Sequence, residues 1–169
     1  YNVLFTDAAG CDTTVQFTVS RPPGVTATAV VTPATCADNC DGSIAVTPMG
    51  AVGTITWAWT PQPGSGQGTP NVGGLCPGTW SVTLVDQAGC DTTLTYVVGS
   101  PAPIDPHGSF TNESCAGPCD GTGIVAPTGG SGTFSYAWTP ATAGSGPHVT
   151  GLCAGDYAVT ITDGGGCDT

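Results

Sequence analysis

The chain has 169 residues, one Lys or Arg against 12 Asp and Glu, and a formal net charge of −11. That balance excludes binding to a phosphate backbone, since no basic surface exists to displace counterions, and it favours solubility and mutual repulsion. No apolar run reaches the roughly 20 residues that a bilayer-spanning helix needs, so neither nucleic acid nor a membrane span is expected.

The predicted elements are short strands between turns. The 27 Gly and 15 Pro would signal disorder if they lacked periodicity, but alternating apolar segments separate them. The chain opens on Tyr1-Asn2-Val3, with Tyr1, Val3 and Phe5 predicted to face inward. Val25–Thr35 reads as a strand with Val25, Ala27, Ala29 and Val31 on one face and Thr26, Thr28 and Val30 on the other. Gly42–Thr47 reads as the next, ended by Pro48. Ile55, Trp57 and Trp59 alternate onto one face, followed by a loose loop, Gln62–Gly74, with room for one edge strand. Trp80, Val82 and Leu84 point inward on the penultimate strand, and Thr92–Val98 is the last.

The chain then repeats itself. Cys36-Ala37-Asp38-Asn39-Cys40-Asp41-Gly42 returns as Cys115-Ala116-Gly117-Pro118-Cys119-Asp120-Gly121, and Trp57-Ala58-Trp59-Thr60-Pro61 as Tyr136-Ala137-Trp138-Thr139-Pro140, both 79 residues on. Gly74-Leu75-Cys76-Pro77-Gly78 returns 77 residues on as Gly151-Leu152-Cys153-Ala154-Gly155, so the intervening loop is two residues shorter. A turn of the form Asp-x-x-Gly-Cys-Asp-Thr occurs three times, from Asp7, Asp86 and Asp163. Recurrence of several blocks in one order defines a repeat architecture. The phase implies the C-terminal part of one repeat over residues 1–21, a complete repeat over 22–100, and a second over 101–169 without its last strand, as a window on a longer array. The expected fold is therefore all-β: tandem Ig-like β-sandwich repeats, disulfide-stapled, arranged as an extended array. The expected core is Trp57, Trp59, Trp80, Val82 and Leu84 in one repeat and Tyr136, Trp138 and Tyr157 in the next. Leu75-Cys76-Pro77-Gly78-Thr79-Trp80 and its twin ending at Tyr157 have the form of a tyrosine corner, in which the aromatic's polar tip bonds to upstream backbone.

Nine cysteines in a small β-protein imply an oxidising compartment, and a unit of about 79 residues has too thin a core to dispense with covalent staples. Zinc would want a second tight cysteine pair, which Cys76 and Cys90 do not form, so disulfides are expected. In a sandwich the turn after the first strand and the turn before the tyrosine corner lie at one end, which pairs Cys40 with Cys76 and Cys119 with Cys153. Cys90 falls at the other end. Two arrangements stay open for the remaining cysteines: Cys36–Cys90 with Cys115–Cys167 inside each repeat, which is preferred, or Cys36–Cys167 between neighbours, which would lock the array into a rod.

The pattern resembles the SprB repeat of Bacteroidota surface proteins. The elements that carry the likeness are Cys-x4-Asp-Gly (Cys36, Asp41, Gly42), aromatic-x-Trp (Trp57, Trp59), Leu-x-x-Gly-x-aromatic (Leu75, Gly78, Trp80) and Val-x-Leu-x-Asp-x-x-Gly-Cys from Val82 to Cys90. The resemblance implies pairing of the first and last cysteines of a repeat, and a large exported surface protein serving as adhesin, stalk or extracellular filament, including gliding adhesins. It also suggests O-glycan acceptors at Thr13, Thr92 and Thr169, each following an Asp; Asn112-Glu113-Ser114 forms an N-glycan sequon.

Catalytic chemistry has no foothold. His107 and His148 lie in loops without a recurring nucleophile, and Glu113 is the single Glu, whereas a paired-carboxylate hydrolase needs two placed acids. Asp38, Asp41, Asp86 and Asp91 could offer calcium oxygens, but no dense acidic loop gathers them, so no cofactor is expected. The expected partners are neighbouring repeats of the same chain or fibre, with surface glycans as a further class. The leading function is a structural module of a secreted or cell-surface protein, not an enzyme; the alternatives are a glycan-binding module or accessory repeats of a secreted hydrolase.

Overall fold

The computed structural model describes residues 1–20, 24–114, 117 and 119–169, apart from the side chain of Thr142. It is all-β and every strand pairing is antiparallel. A hairpin of β1 (Asn2–Thr6) and β2 (Asp12–Gln16) comes first. Six strands follow: β3 (Thr26–Thr32), β4 (Gly42–Met49), β5 (Ile55–Thr60), β6 (Asn71–Leu75), β7 (Gly78–Asp86) and β8 (Asp91–Val98). The second set is β9 (Gly108–Thr111), β10 (Gly121–Val125), β11 (Ser135–Thr139), β12 (His148–Leu152) and β13 (Ala158–Thr162), with one 3-10 turn at Ala141–Ala143. Among the described residues no helix is long and apolar enough to cross a membrane.

In the first set, the sheets β3-β4-β6 and β5-β7-β8 share one core. Val25, Ile44, Val46, Val72 and Leu75 meet Trp59, Trp80, Val82, Leu84 and Val98. This follows from period-two alternation: β7 runs exposed, exposed, then buried at Trp80, Val82, Leu84 and Asp86 with half-buried residues between. Complete burial of Leu75, Val82 and Leu84 contributes on the order of 1.5–3 kcal/mol each. The second set repeats the layout as β9-β10-β12 and β11-β13, around Val125, Trp138, Val149, Leu152 and Ile161. Trp57, Tyr136 and Tyr157 pack at the margins of the two cores, half-buried.

Three expectations change. The first strand stops at Thr32 rather than Thr35, because Pro33 has no N–H to continue the ladder. Pro48 does not end its strand: β4 pairs through it, with Pro48 opposite Ala27. Val46 N donates toward the β6 side, to Pro70 O, so the nitrogen of Pro48 two residues later faces that same side beyond the last paired residues, Ala45 and Asn71. Tyr1, Val3 and Phe5 are exposed, at 84%, 40% and 53%, since among the described residues no second sheet faces the β1–β2 hairpin.

Candidate functional site: the junction between repeats

Two kinds of turn build the ends of each repeat. The first is the Cys-x3-Cys-Asp-Gly turn between β3 and β4. The Asp41 carboxylate accepts hydrogen bonds from the Thr35 amide (2.9 Å) and hydroxyl, folding the turn back on itself. These bonds hold the Asp41 carboxyl below the usual carboxylate range, the Thr35 hydroxyl contributing most. Gly42 must be glycine for space: a Cβ there would lie 2.6 Å from Val98 Cγ1 and 3.0 Å from Leu75 O. Cys40 is disulfide-bonded to Cys76, and Trp80 Nε1 donates to the Cys76 carbonyl at 3.0 Å. In the second copy Asp120 takes the Ser114 amide and hydroxyl, Cys119 is bonded to Cys153, and Tyr157 OH donates to Cys153 O at 3.1 Å. The aromatic of the tyrosine corner thus anchors the carbonyl of the stapled cysteine in both repeats, by an indole in one and a phenol in the other.

Glu113 is a functional residue that sequence reasoning missed. Its carboxylate accepts the amides of Gly117, Cys119 and Ala154, so it ties the first turn to the loop carrying Cys153. Those bonds, the Cys119 amide foremost, lower its pKa. The signal was present in the repeat register, since Glu113 stands where the first copy has the buried Ala34.

The second turn is Asp-x-x-Gly-Cys, between β7 and β8. Asp86 accepts the Val52 amide on one oxygen and the Cys90 amide on the other, at 3.0 and 2.9 Å. Asp163 does the same with Ser131 (2.7 Å) and Cys167 (2.9 Å) and also takes the Gly165 amide. Both carboxyls are held below the usual range, chiefly by the Val52 amide at Asp86 and the Cys167 amide at Asp163. Asp7 accepts the Ala9 and Cys11 amides in the same manner. The acidic residues that recur along the chain are therefore turn builders.

The two turns meet at the junction. The first turn sits at the end where the chain leaves the repeat, because Ala34 N donates to Gly99 O at 2.9 Å. The second turn of the next copy sits where the chain arrives: Asp163 holds Ser131, and the adjacent Gly130 N donates to Ala102 O at 2.9 Å. Across this gap Cys36 is disulfide-bonded to Cys167, with Cα atoms 5.6 Å apart, and the Cys167 sulfur lies 3.3 Å from Thr35 O. Pairing of Cys36 with Cys90 and of Cys115 with Cys167 is thereby corrected. Cys90 lies in a turn at the arriving end of its own repeat while Cys36 lies at the leaving end, so the nearest second-turn cysteine to Cys36 belongs to the following repeat. Cys11 and Cys90 carry free thiols, Cys11 exposed and Cys90 half-buried. Cys115 lies outside the described residues, as does Arg21.

The other candidates scatter. Thr13, Thr169 and Asn112 are exposed, whereas Thr92 is half-buried on the face of β8 that carries Leu94, Tyr96 and Val98. Asp38 and Asp91 are exposed and sit apart from any acidic cluster; among the described residues no three His, Cys, Asp or Glu side chains gather as a metal site would require. His107 lies 3.4 Å from Asp105 at the surface, and His148 opens β12. A groove of about 950 Å³ runs along the second repeat between Phe110, Gly121, Ile124 and Tyr157. In the first repeat the matching space beside Gly42 is filled by Val98 of β8, so the groove lies where β8 packs in the first repeat.

The SprB repeat family model matches the chain twice, over residues 28–64 and 108–143. Both matches start near the first long strand and end just past the aromatic strand, in the same phase of the two copies. Curated proteins give no match. Over those two segments the chain is similar to the SprB repeat, and its strands and disulfides are those of a β-rich, disulfide-bearing repeat protein.

Proposed function

We propose that the chain is a load-bearing repeat module of a large secreted or cell-surface adhesin, stalk or extracellular filament, with no catalysis of its own. The observation that carries this reading is the Cys36–Cys167 bond between successive repeats. A peptide linker alone leaves two small units free to swivel. A second covalent tie beside the linker removes most of that freedom and gives an array stiffness and reach, properties that need no active site. The junction disulfide also fits an oxidising, extracytoplasmic location. Net charge of −11 keeps neighbouring arrays apart by repulsion.

Electron microscopy of the native full-length protein tests the reading. Long uniform fibres that become visibly more flexible after reduction with dithiothreitol are expected. Compact discrete particles whose shape is indifferent to reduction would overturn it.

A further inference from the structure

We infer that Cys90 is one half of a second junction bond of the same kind: a disulfide to the first-turn cysteine of another copy of the repeat, so that each repeat is bonded at both ends. This rests on the reading of the chain as a stacked array and goes beyond it, because it assigns a partner to a thiol that has none among the described residues. Cys90 and Cys167 occupy one structural position. Each follows Asp-x-x-Gly, each is half-buried, and each donates its amide to the aspartate Oδ1 at 2.9 Å. Their carbonyls close the same turn, accepting from the Asp86 amide at 3.0 Å and the Asp163 amide at 2.8 Å. One of these two equivalent sulfurs is bonded, and its partner is the first cysteine of a Cys-x3-Cys-Asp-Gly turn.

The first-turn cysteines of the same repeat are not open to Cys90. Cys36 is committed to Cys167 and Cys40 to Cys76. The bonding register seen at the junction runs from the first turn of one repeat to the second turn of the next. Applied to Cys90, it names a first-turn cysteine on the arriving side of residues 24–98.

The bond forms by exchange with a disulfide oxidant, such as oxidised glutathione or a thioredoxin-class oxidoreductase. One cysteine loses its proton and its thiolate attacks the oxidant, releasing one thiol and leaving a mixed disulfide. The second cysteine, likewise deprotonated, displaces the remaining oxidant sulfur. Two thiols become one S–S bond, and the oxidant's disulfide is reduced to two thiols.

The test uses the native full-length protein, alkylated with N-ethylmaleimide before any reduction, digested, and mapped by mass spectrometry. A peptide joining Cys90 to the first-turn cysteine of another copy of the repeat, neither Cys36 nor Cys40, is expected. A denaturing gel without reductant tells its source: migration at single-chain mass places the partner in the same chain, and multiples that collapse with dithiothreitol place it in a second copy. Recovery of Cys90 as its maleimide adduct, or joined to Cys36, overturns the inference. If Cys90 is alkylated while Cys36–Cys167 remains joined, the inference fails and the stalk reading stands. Cys90→Ser should remove the linked peptide completely and leave the Cys36–Cys167 peptide at its original yield; persistence of an equivalent cross-link in that variant would also overturn it.

Discussion

Removing the Cys40–Cys76 staple isolates the worth of a cross-link in this fold, because both residues are solvent-exposed and their replacement sacrifices almost no packing. The perturbation is the double substitution Cys40→Ala and Cys76→Ala, which leaves no stray thiol to reshuffle. The bond joins residues 36 apart. On the chain-entropy account a loop of that size restricts the unfolded chain by about 13 cal/mol/K, or about 4 kcal/mol at 25 °C. For a unit of this size 1 kcal/mol moves the thermal midpoint by about 4–8 °C, so the midpoint should fall by roughly 15–30 °C. The assay is thermal unfolding followed by tryptophan fluorescence in a Trp138→Phe background, so that Trp57, Trp59 and Trp80 report on the first repeat alone. The carbonyl of residue 76 remains available to Trp80 Nε1 in the variant, so the loss is assigned to the cross-link. A fall of less than about 5 °C would refute the claim that the staple, and not the thin core, dominates the stability of the repeat.

Gly42→Ala should destabilise the first repeat while leaving the second intact, since the new Cβ would press on Val98 and on the Leu75 backbone; an unchanged midpoint in the same assay would refute the packing account. Tyr157→Phe deletes only the hydroxyl that donates to Cys153 O, and should cost about 1 kcal/mol in urea denaturation of the second repeat, read from Trp138 fluorescence. The folded-state pKa values of Asp41, Asp86, Glu113, Asp120 and Asp163 are all depressed. A carboxyl depressed in the folded state adds stability above its unfolded pKa and loses it as pH falls through the folded one. The thermal midpoint should therefore hold from neutral pH to about pH 5 and fall steadily below about pH 4, where unfolded carboxyls take up protons. Asp86→Asn should flatten the acid limb for the first repeat; an acid limb as steep as in the parent chain would count against turn-building as the role of Asp86.

Much of the fold was legible because it follows from period and punctuation. Alternation placed Ile55, Trp57 and Trp59 on one face, and the paired Gly and Pro positions placed the turns. The tyrosine corner was also legible, down to the indole of Trp80 doing the work of a hydroxyl, because its geometry depends on residues only four apart. What was misjudged depends on neighbours. Pro48 looked like a strand end until the pairing showed that its nitrogen faces a side the partner strand has already left. Tyr1, Val3 and Phe5 carry an inward pattern, yet a pattern buries nothing unless a second sheet is there to receive it.

The contested disulfide shows the same division most clearly. Within one repeat, Cys36 and Cys90 are the first and last cysteines, and the resemblance to the SprB repeat implies that they pair. The structure separates them by fastening each to a different end. Thr35 folds onto Asp41 where the chain leaves the repeat, and Cys90 folds onto Asp86 where it arrives. A bond between them would have to span the length of the sandwich, whereas a bond from Cys36 to Cys167 spans only the linker Gly99–Ala102 and the two turns flanking it. The recurrence of the same two turns in every copy then makes one choice of register sufficient for all of them. The junction bond thus follows from local turn chemistry: Asp41 folds the turn that carries Cys36, Asp163 folds the turn that carries Cys167, and the disulfide joins these unlike ends.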